Sequence, residues 1–179
     1  NSNYYAYSMT TDHKHRVKRS IMTYMARQWL KYPKNSVIHD NSIAIKYVTP
    51  ILAQLIRRQK WRLPAWKEGG RLLDVGCGWG EYPSIMSHLG WQVVGVEISR
   101  QAVVLGQEKY GLDVRCGTVE SQQFPDQSFD VVTLWDVLEH LAYPSETLSE
   151  IYRILRPEGW LLITVPNSWS LQAHLFGDA

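Results

Sequence analysis

The sequence predicts an α/β fold, a doubly wound parallel sheet carrying an N-terminal helical extension. Three observations predict it. From residue 71 onward, short apolar runs alternate with helical patterns at the spacing of strand–helix–strand units. Two of those runs, Val131-Val132-Thr133-Leu134 and Leu161-Leu162-Ile163, are nearly continuous, as in strands covered on both sides. The first run ends in Asp74 and then breaks into glycines at alternate positions, Gly76, Gly78 and Gly80. That is a strand–glycine loop–helix unit, suited to a nucleotide-like ligand at the helix start.

The extension precedes the sheet. Residues 1–66 carry 12 Lys and Arg against 2 acids, a balance of +10, and residues 67–179 carry 7 against 15, a balance of −8. The split defines a basic helical extension, 1–66, and a sheet domain, 67–179. The basic part is either a solvated pair of helices on an acidic domain or a surface for an acidic partner. No nucleic-acid motif is interleaved with it, so a nucleic-acid role is disfavoured. Residues 1–12 are polar and Tyr-rich. Over 13–30, Val17, Ile21, Tyr24, Met25 and Gln28 share one helical face, and the pattern ends before Pro33. Residues 31–42 read as a loop. Thr49-Pro50 is a helix start, followed by the stripe Val48, Ile51, Leu52, Leu55 and Ile56. Residues 61–70 read as a linker.

In the sheet domain, strands are expected over 72–75, 92–97, 113–116, 129–134 and 160–165. Helices are expected over 81–89, 100–110 and 145–155. No apolar run approaches the ~20 residues of a membrane helix. The opening Asn-Ser-Asn-Tyr-Tyr does not read as a secretory signal. Without an initiator Met, a processed chain or a fragment is expected. Cys77 and Cys116 form no Cys-x-x-Cys pair and read as structural thiols of a reducing, cytoplasmic compartment.

Four segments should meet at the carboxyl ends of the strands, where open parallel sheets bind ligands. They are the glycine loop with Asp74, Glu97 after the second strand, Gly117-Thr118-Val119-Glu120 after the third, and Trp135 to His140 after the fourth. A carboxylate at Glu97 can accept hydrogen bonds from both hydroxyls of a ribose. The spacing Gly-x-Gly-x-Gly differs from the Gly-x-Gly-x-x-Gly of dinucleotide sites. An acid two residues before the loop would repel a pyrophosphate, but it suits a ligand carrying an ammonium and a sulfonium. S-adenosylmethionine is thereby favoured over NAD.

Residues 71–177 resemble a class I S-adenosylmethionine-dependent methyltransferase, with a Rossmann-like sheet. The resemblance rests on Leu72-Leu73-Asp74-Val75-Gly76-Cys77-Gly78-Trp79-Gly80, Val93-Val94-Gly95-Val96-Glu97-Ile98-Ser99 and Phe124-Pro125-Asp126-Gln127-Ser128-Phe129-Asp130, and on two later stretches. These are Asp136-Val137-Leu138-Glu139-His140-Leu141 and the run from Ile151 to Asn167. It implies that Asp74, Gly76, Cys77, Gly78 and Gly80 hold the methionine end of the cofactor. Glu97 and Ile98 would border the ribose, Val119 and Glu120 the adenine, and Trp135 the methionine part. Thr118 stands where the family has an Asp, so adenine recognition falls to backbone amides or Glu120.

The Asp136-x-x-Glu139-His140 element is similar to that of quinone-biosynthesis O-methyltransferases, where it is associated with metal binding or substrate deprotonation. His140 is either a general base near neutral pH or a brace for its loop; no metal is expected. The expected function is methyl transfer to a small metabolite or glycan-pathway intermediate, favouring oxygen. The alternative is a non-catalytic cofactor module completed by a partner. Family sheets have seven strands, and only five fit before residue 179, in the order 3-2-1-4-5. The fifth would be an apolar edge, needing a partner chain or dimer to cover it.

Overall fold

The computed structural model describes Met22, Tyr32 and residues 63–166. The helices expected over 13–30 and 49–60, the loop over 31–42 and the segment 167–179 otherwise lie outside the described residues.

A parallel five-stranded sheet runs in the order β3-β2-β1-β4-β5. Its elements follow in sequence as β1 (Arg71–Val75), α1 (Glu81–His88), β2 (Gln92–Glu97), α2 (Arg100–Tyr110) and β3 (Asp113–Cys116). Then come β4 (Phe129–Trp135), α3 (Pro144–Ile154) and β5 (Leu155–Thr164). Two 3-10 turns, Glu120–Gln122 and Leu138–His140, follow β3 and β4. The expected fold class and strand order are those observed. No helix among the described residues is long and apolar enough to cross a membrane.

Strand parity sorts the core into two faces. On one, Leu72 and Val131 pack with Ile85, Met86 and Leu89 of the α1 region and with Trp91. On the other, Leu73, Val75, Val132 and Leu134 pack with Ile151 and Ile154 of α3 and with Phe124 and Phe129. Complete burial of a Leu, Ile or Phe contributes roughly 1.5–3 kcal/mol, so these contacts fix the sheet against its helices. Local signals set the helix ends. Ser99 caps α2 by accepting the Ala102 N–H, at 3.4 Å. Gly111, with φ +63°, stops it. Pro144 opens α3.

Three expectations change. The stretch 61–70 is not a free linker from residue 63 onward. Leu63 is buried in the first cluster, and Trp66 packs against Trp91 edge-on with ring centroids 5.9 Å apart. The N-terminal stretch reaches the same place. Met22 is helical and buried there, although it is off the face expected from periodicity. Tyr32 is 3% exposed, accepts the Trp91 indole N–H at 2.9 Å and donates to the Pro64 carbonyl at 2.9 Å.

The start of β5 also differs. Leu155 pairs with Phe129 and Trp160 with Val131, so Arg156 to Gly159 bulge out between them. Glu158 takes φ +62° in this bulge. The Arg156 guanidinium reaches back to Asp130 at 2.7 Å, where Lys67 (2.5 Å) and the Arg71 N–H (2.8 Å) also converge. Finally, Val131 to Leu134 are buried as expected, but Leu161 to Ile163 are only half-buried, because β5 is an edge. Trp160 is 63% exposed.

Candidate cofactor site

The glycine loop is folded onto the end of β2. The N–H groups of Gly76 and Cys77 both donate to the Val96 carbonyl, at 2.8 and 3.1 Å. The Gly78 N–H donates to one oxygen of Glu97 at 2.9 Å, and the Ser99 N–H donates to the other at 2.9 Å. Glycine is required at residue 76, where φ is +69° and a Cβ would lie 2.5 Å from Val137. The Cys77 side chain tucks under the loop against Gly95, where an added Cβ would stand 2.6 Å from the sulfur. Burial pushes the Cys77 thiol up, and the charges of Asp74 and Glu97 add to this, so it is an inert packing group. Cys116 is exposed, which corrects the expectation of two structural thiols.

A cavity of about 480 Å³ opens at the carboxyl ends of β1 to β4. Of the expected site residues, Gly76, Glu97, Ile98, Val119, Glu120, Asp136 and His140 line it. Asp74, Cys77, Gly78, Gly80, Trp135 and Glu139 are not on its wall. Cys77, Gly78 and Gly80 shape the loop from behind; the Gly80 N–H bonds the Cys77 carbonyl at 3.0 Å. Asp74 is buried below, accepting the Thr133 hydroxyl at 2.5 Å. Burial raises its carboxyl to about 7; the Thr133 bond opposes this and the nearby Glu97 charge adds to it. Trp135 packs against Tyr82 with centroids 5.2 Å apart. Glu139 is exposed.

Sequence reasoning missed a second wall, made by Leu141, Ala142, Tyr143, Glu146 and Thr147. Its one legible signal is Pro144, which starts a helix directly after the β4 loop. Thr147 donates to Glu120 at 2.5 Å, joining α3 to the loop after β3. Asp136, with φ +56°, is tied to β5 by its N–H to the Thr164 carbonyl and by the Thr164 hydroxyl, at 3.1 and 3.0 Å. Among the described residues, no cluster of three or more His, Cys, Asp or Glu could hold a metal ion.

The donor set fits a cationic nucleoside. Among the described residues, four carboxylates line the cavity, Glu97, Glu120, Asp136 and Glu146, with no Lys or Arg beside them. Glu97 is 6% exposed, and each of its oxygens spends one acceptor position on a backbone N–H. A carboxylate has about four such positions, so the rest suit a pair of ligand hydroxyls.

Fold and site together define a Rossmann-like domain built for a nucleoside-containing cofactor. The chain belongs to the methyltransferase domain family, whose sequence profile matches residues 73–163; this is an S-adenosylmethionine-dependent methyltransferase domain. It is 35% identical over 111 residues to the ubiquinone biosynthesis O-methyltransferase of Parvibaculum lavamentivorans, covering 59% of this chain and 44% of the relative. The enzyme of the same name from Cereibacter sphaeroides is 32% identical over 149 residues, covering 79% and 60%. The chain thus spans about half the length of the curated relatives it matches. Among solved structures, a SAM-dependent methyltransferase from Archaeoglobus fulgidus superposes with a TM-score of 0.57 at 27% identity, covering 70% of this chain and 56% of that one. A Haloferax volcanii methyltransferase in complex with the Trm112 activator gives a TM-score of 0.54 at 25% identity, covering 61% and 50%.

Proposed function

We propose that this chain binds S-adenosylmethionine in the cavity and directs its methyl group to an oxygen of a small molecule. The observation that carries the reading is the buried Glu97 carboxylate, fixed at the cavity wall by Gly78 and Ser99. Bound there, the cofactor supplies a sulfonium-activated methyl group. Glu97 takes the ribose hydroxyls, and the acidic lining offsets the positive charge. Gly76 lets the backbone come close where a side chain would collide with Val137.

His140 stands on the same cavity, at the start of the α3 wall. An imidazole nitrogen of His140 takes the proton of the acceptor hydroxyl as it attacks. Asp136 borders the same space, held by Thr164. Glu139 is exposed and is assigned no step. Transfer to oxygen is supported by the names of the curated relatives. A cytoplasmic location belongs to this reading, from the two free cysteines.

Calorimetric titration with S-adenosylhomocysteine tests it. Saturable binding is expected, weakened about tenfold or more in Glu97→Gln, since a bond to a charged group contributes roughly 1.5–3 kcal/mol. No saturable heat with the folded wild type would overturn the reading.

A second reading is a cofactor-binding module that needs a partner chain for turnover. It is favoured by the open edge of β5, where Trp160 and Val165 are 63% and 52% exposed. Methyl transfer from labelled cofactor by the isolated chain would remove it.

A further inference from the structure

We propose that Glu120, positioned by Thr147, reads the base of the bound nucleoside by accepting a hydrogen bond from its exocyclic amine. The inference rests on the cofactor reading above and adds a specificity residue to it.

The cavity wall runs from Glu97 to the loop after β3, and the Gly117 N–H, bonded to the Glu97 carbonyl at 2.9 Å, fixes the two together. A nucleoside whose ribose sits on Glu97 therefore meets this loop with its base. Two apolar side chains flank the place. Val119 is 1% exposed and forms a floor, and Ile98, 76% exposed, forms a rim that a flat base would cover.

Thr118 is taken up by its own turn. Its N–H bonds the Ser121 hydroxyl at 3.1 Å, its carbonyl accepts that hydroxyl at 2.7 Å, and its side-chain oxygen faces the Ser121 N–H at 3.4 Å. Glu120 is different. Its carboxylate lines the cavity, and one oxygen is held by the Thr147 hydroxyl at 2.5 Å. Although burial works the other way, the Thr147 hydroxyl and then that of Thr118 keep the carboxyl below the usual range, so it stays ionised. An ionised carboxylate only accepts hydrogen bonds. Its complement on a purine is an amine, and a carbonyl in the same place is repelled. Glu146 is the other acid on the α3 side, one residue before Thr147. It serves as the control.

The test compares S-adenosylhomocysteine with S-inosylhomocysteine, in which a carbonyl replaces the amine, by calorimetric titration of the full chain. The wild type should prefer the amine by at least about tenfold, as buried polar partners discriminate strongly. In Glu120→Ala the two affinities should converge to within about threefold, chiefly by weaker binding of the amine ligand. Thr147→Val should lose part of the preference, and Glu146→Gln should keep it. Circular dichroism checks that each variant is folded. A wild-type preference retained in folded Glu120→Ala overturns the proposal and leaves Glu120 as a brace for α3. If Glu120→Ala does not fold, an unchanged preference in Thr147→Val overturns it. Loss of preference in Glu146→Gln alone also overturns it. A folded wild type that binds neither ligand brings down the cofactor reading and this inference with it.

Discussion

Substituting Gly95 by Ala should disable the cofactor loop from behind. Gly95 lies mid-strand in β2, paired with Asp74 on one side and Val114 on the other. Its new Cβ would stand 2.6 Å from the Cys77 sulfur, 3.3 Å from the Cys77 Cβ and 3.4 Å from Val114. The first contact is about 1 Å inside ordinary van der Waals separation. The sulfur cannot simply swing away, because Cys77 is buried and its N–H is held by Val96. The loop must move, and the next residue, Gly78, holds Glu97. Overpacking of this kind costs about 1–3 kcal/mol, and loss of the charged bond to Glu97 weakens cofactor binding further. Cys77→Ala removes the clash and leaves a 3.3 Å contact that small shifts relieve. The double variant Gly95→Ala/Cys77→Ala should therefore recover most of the loss, with a coupling of about 1–2 kcal/mol. Urea midpoints and S-adenosylhomocysteine affinities of the four proteins measure this. Strictly additive effects would refute the reasoning, since they would mean that the two side chains do not compete for one space.

Two further predictions concern buried acids. The Asp74 carboxyl is raised by burial to about 7 when folded, against about 4 when unfolded. The folded state then holds its proton longer, so wild-type stability measured against Asp74→Asn should fall as pH rises from about 4 to 7 and level off above it. Denaturant midpoints across that range check the slope, and a flat difference would contradict it. Asp130 behaves oppositely. Burial disfavours its ionisation, but the Arg71 N–H, Lys67 and Arg156 outweigh it and hold the carboxyl at about 2. Asp130→Ala should destabilise by about 2 kcal/mol at neutral pH, discounting the solvent-exposed partners. The gap should close as pH drops from about 4 toward 2.

Much of the fold was legible, because strand–helix alternation and two-sided apolar runs leave few alternatives to a parallel sheet. Glu97 was legible too, as an acid ending a buried strand next to a glycine loop. Trp135 was misplaced for want of a parity argument that the sequence already held. It has the parity of Val131 and Thr133, which face the α1 side, so it meets Tyr82 and not the cavity. Asp74 shares that parity with Leu72, which is why it lies beneath the loop bonded to Thr133. The α3 wall was hidden because Tyr143 to Thr147 carry no motif; only the packing of α3 through Ile151 and Ile154 brings them round. The bulge before Trp160 was also unreadable, since Arg156-Pro157-Glu158-Gly159 looks like a break, whereas Leu155 is already paired.

The contact of Tyr32 with Trp91 sets a condition on how the molecule can be divided. The Trp91 indole has a single donor, and at 4% exposure its partner is the phenol oxygen of a residue 59 positions earlier. A chain beginning anywhere after Tyr32 would leave that N–H dry and facing hydrocarbon, at about 1–3 kcal/mol. It would also open the space between Trp66 and the α1 layer. The hydration of one indole thus ties the basic leader to the acidic sheet, so the step in charge near residue 66 is not a line along which the protein can be cut.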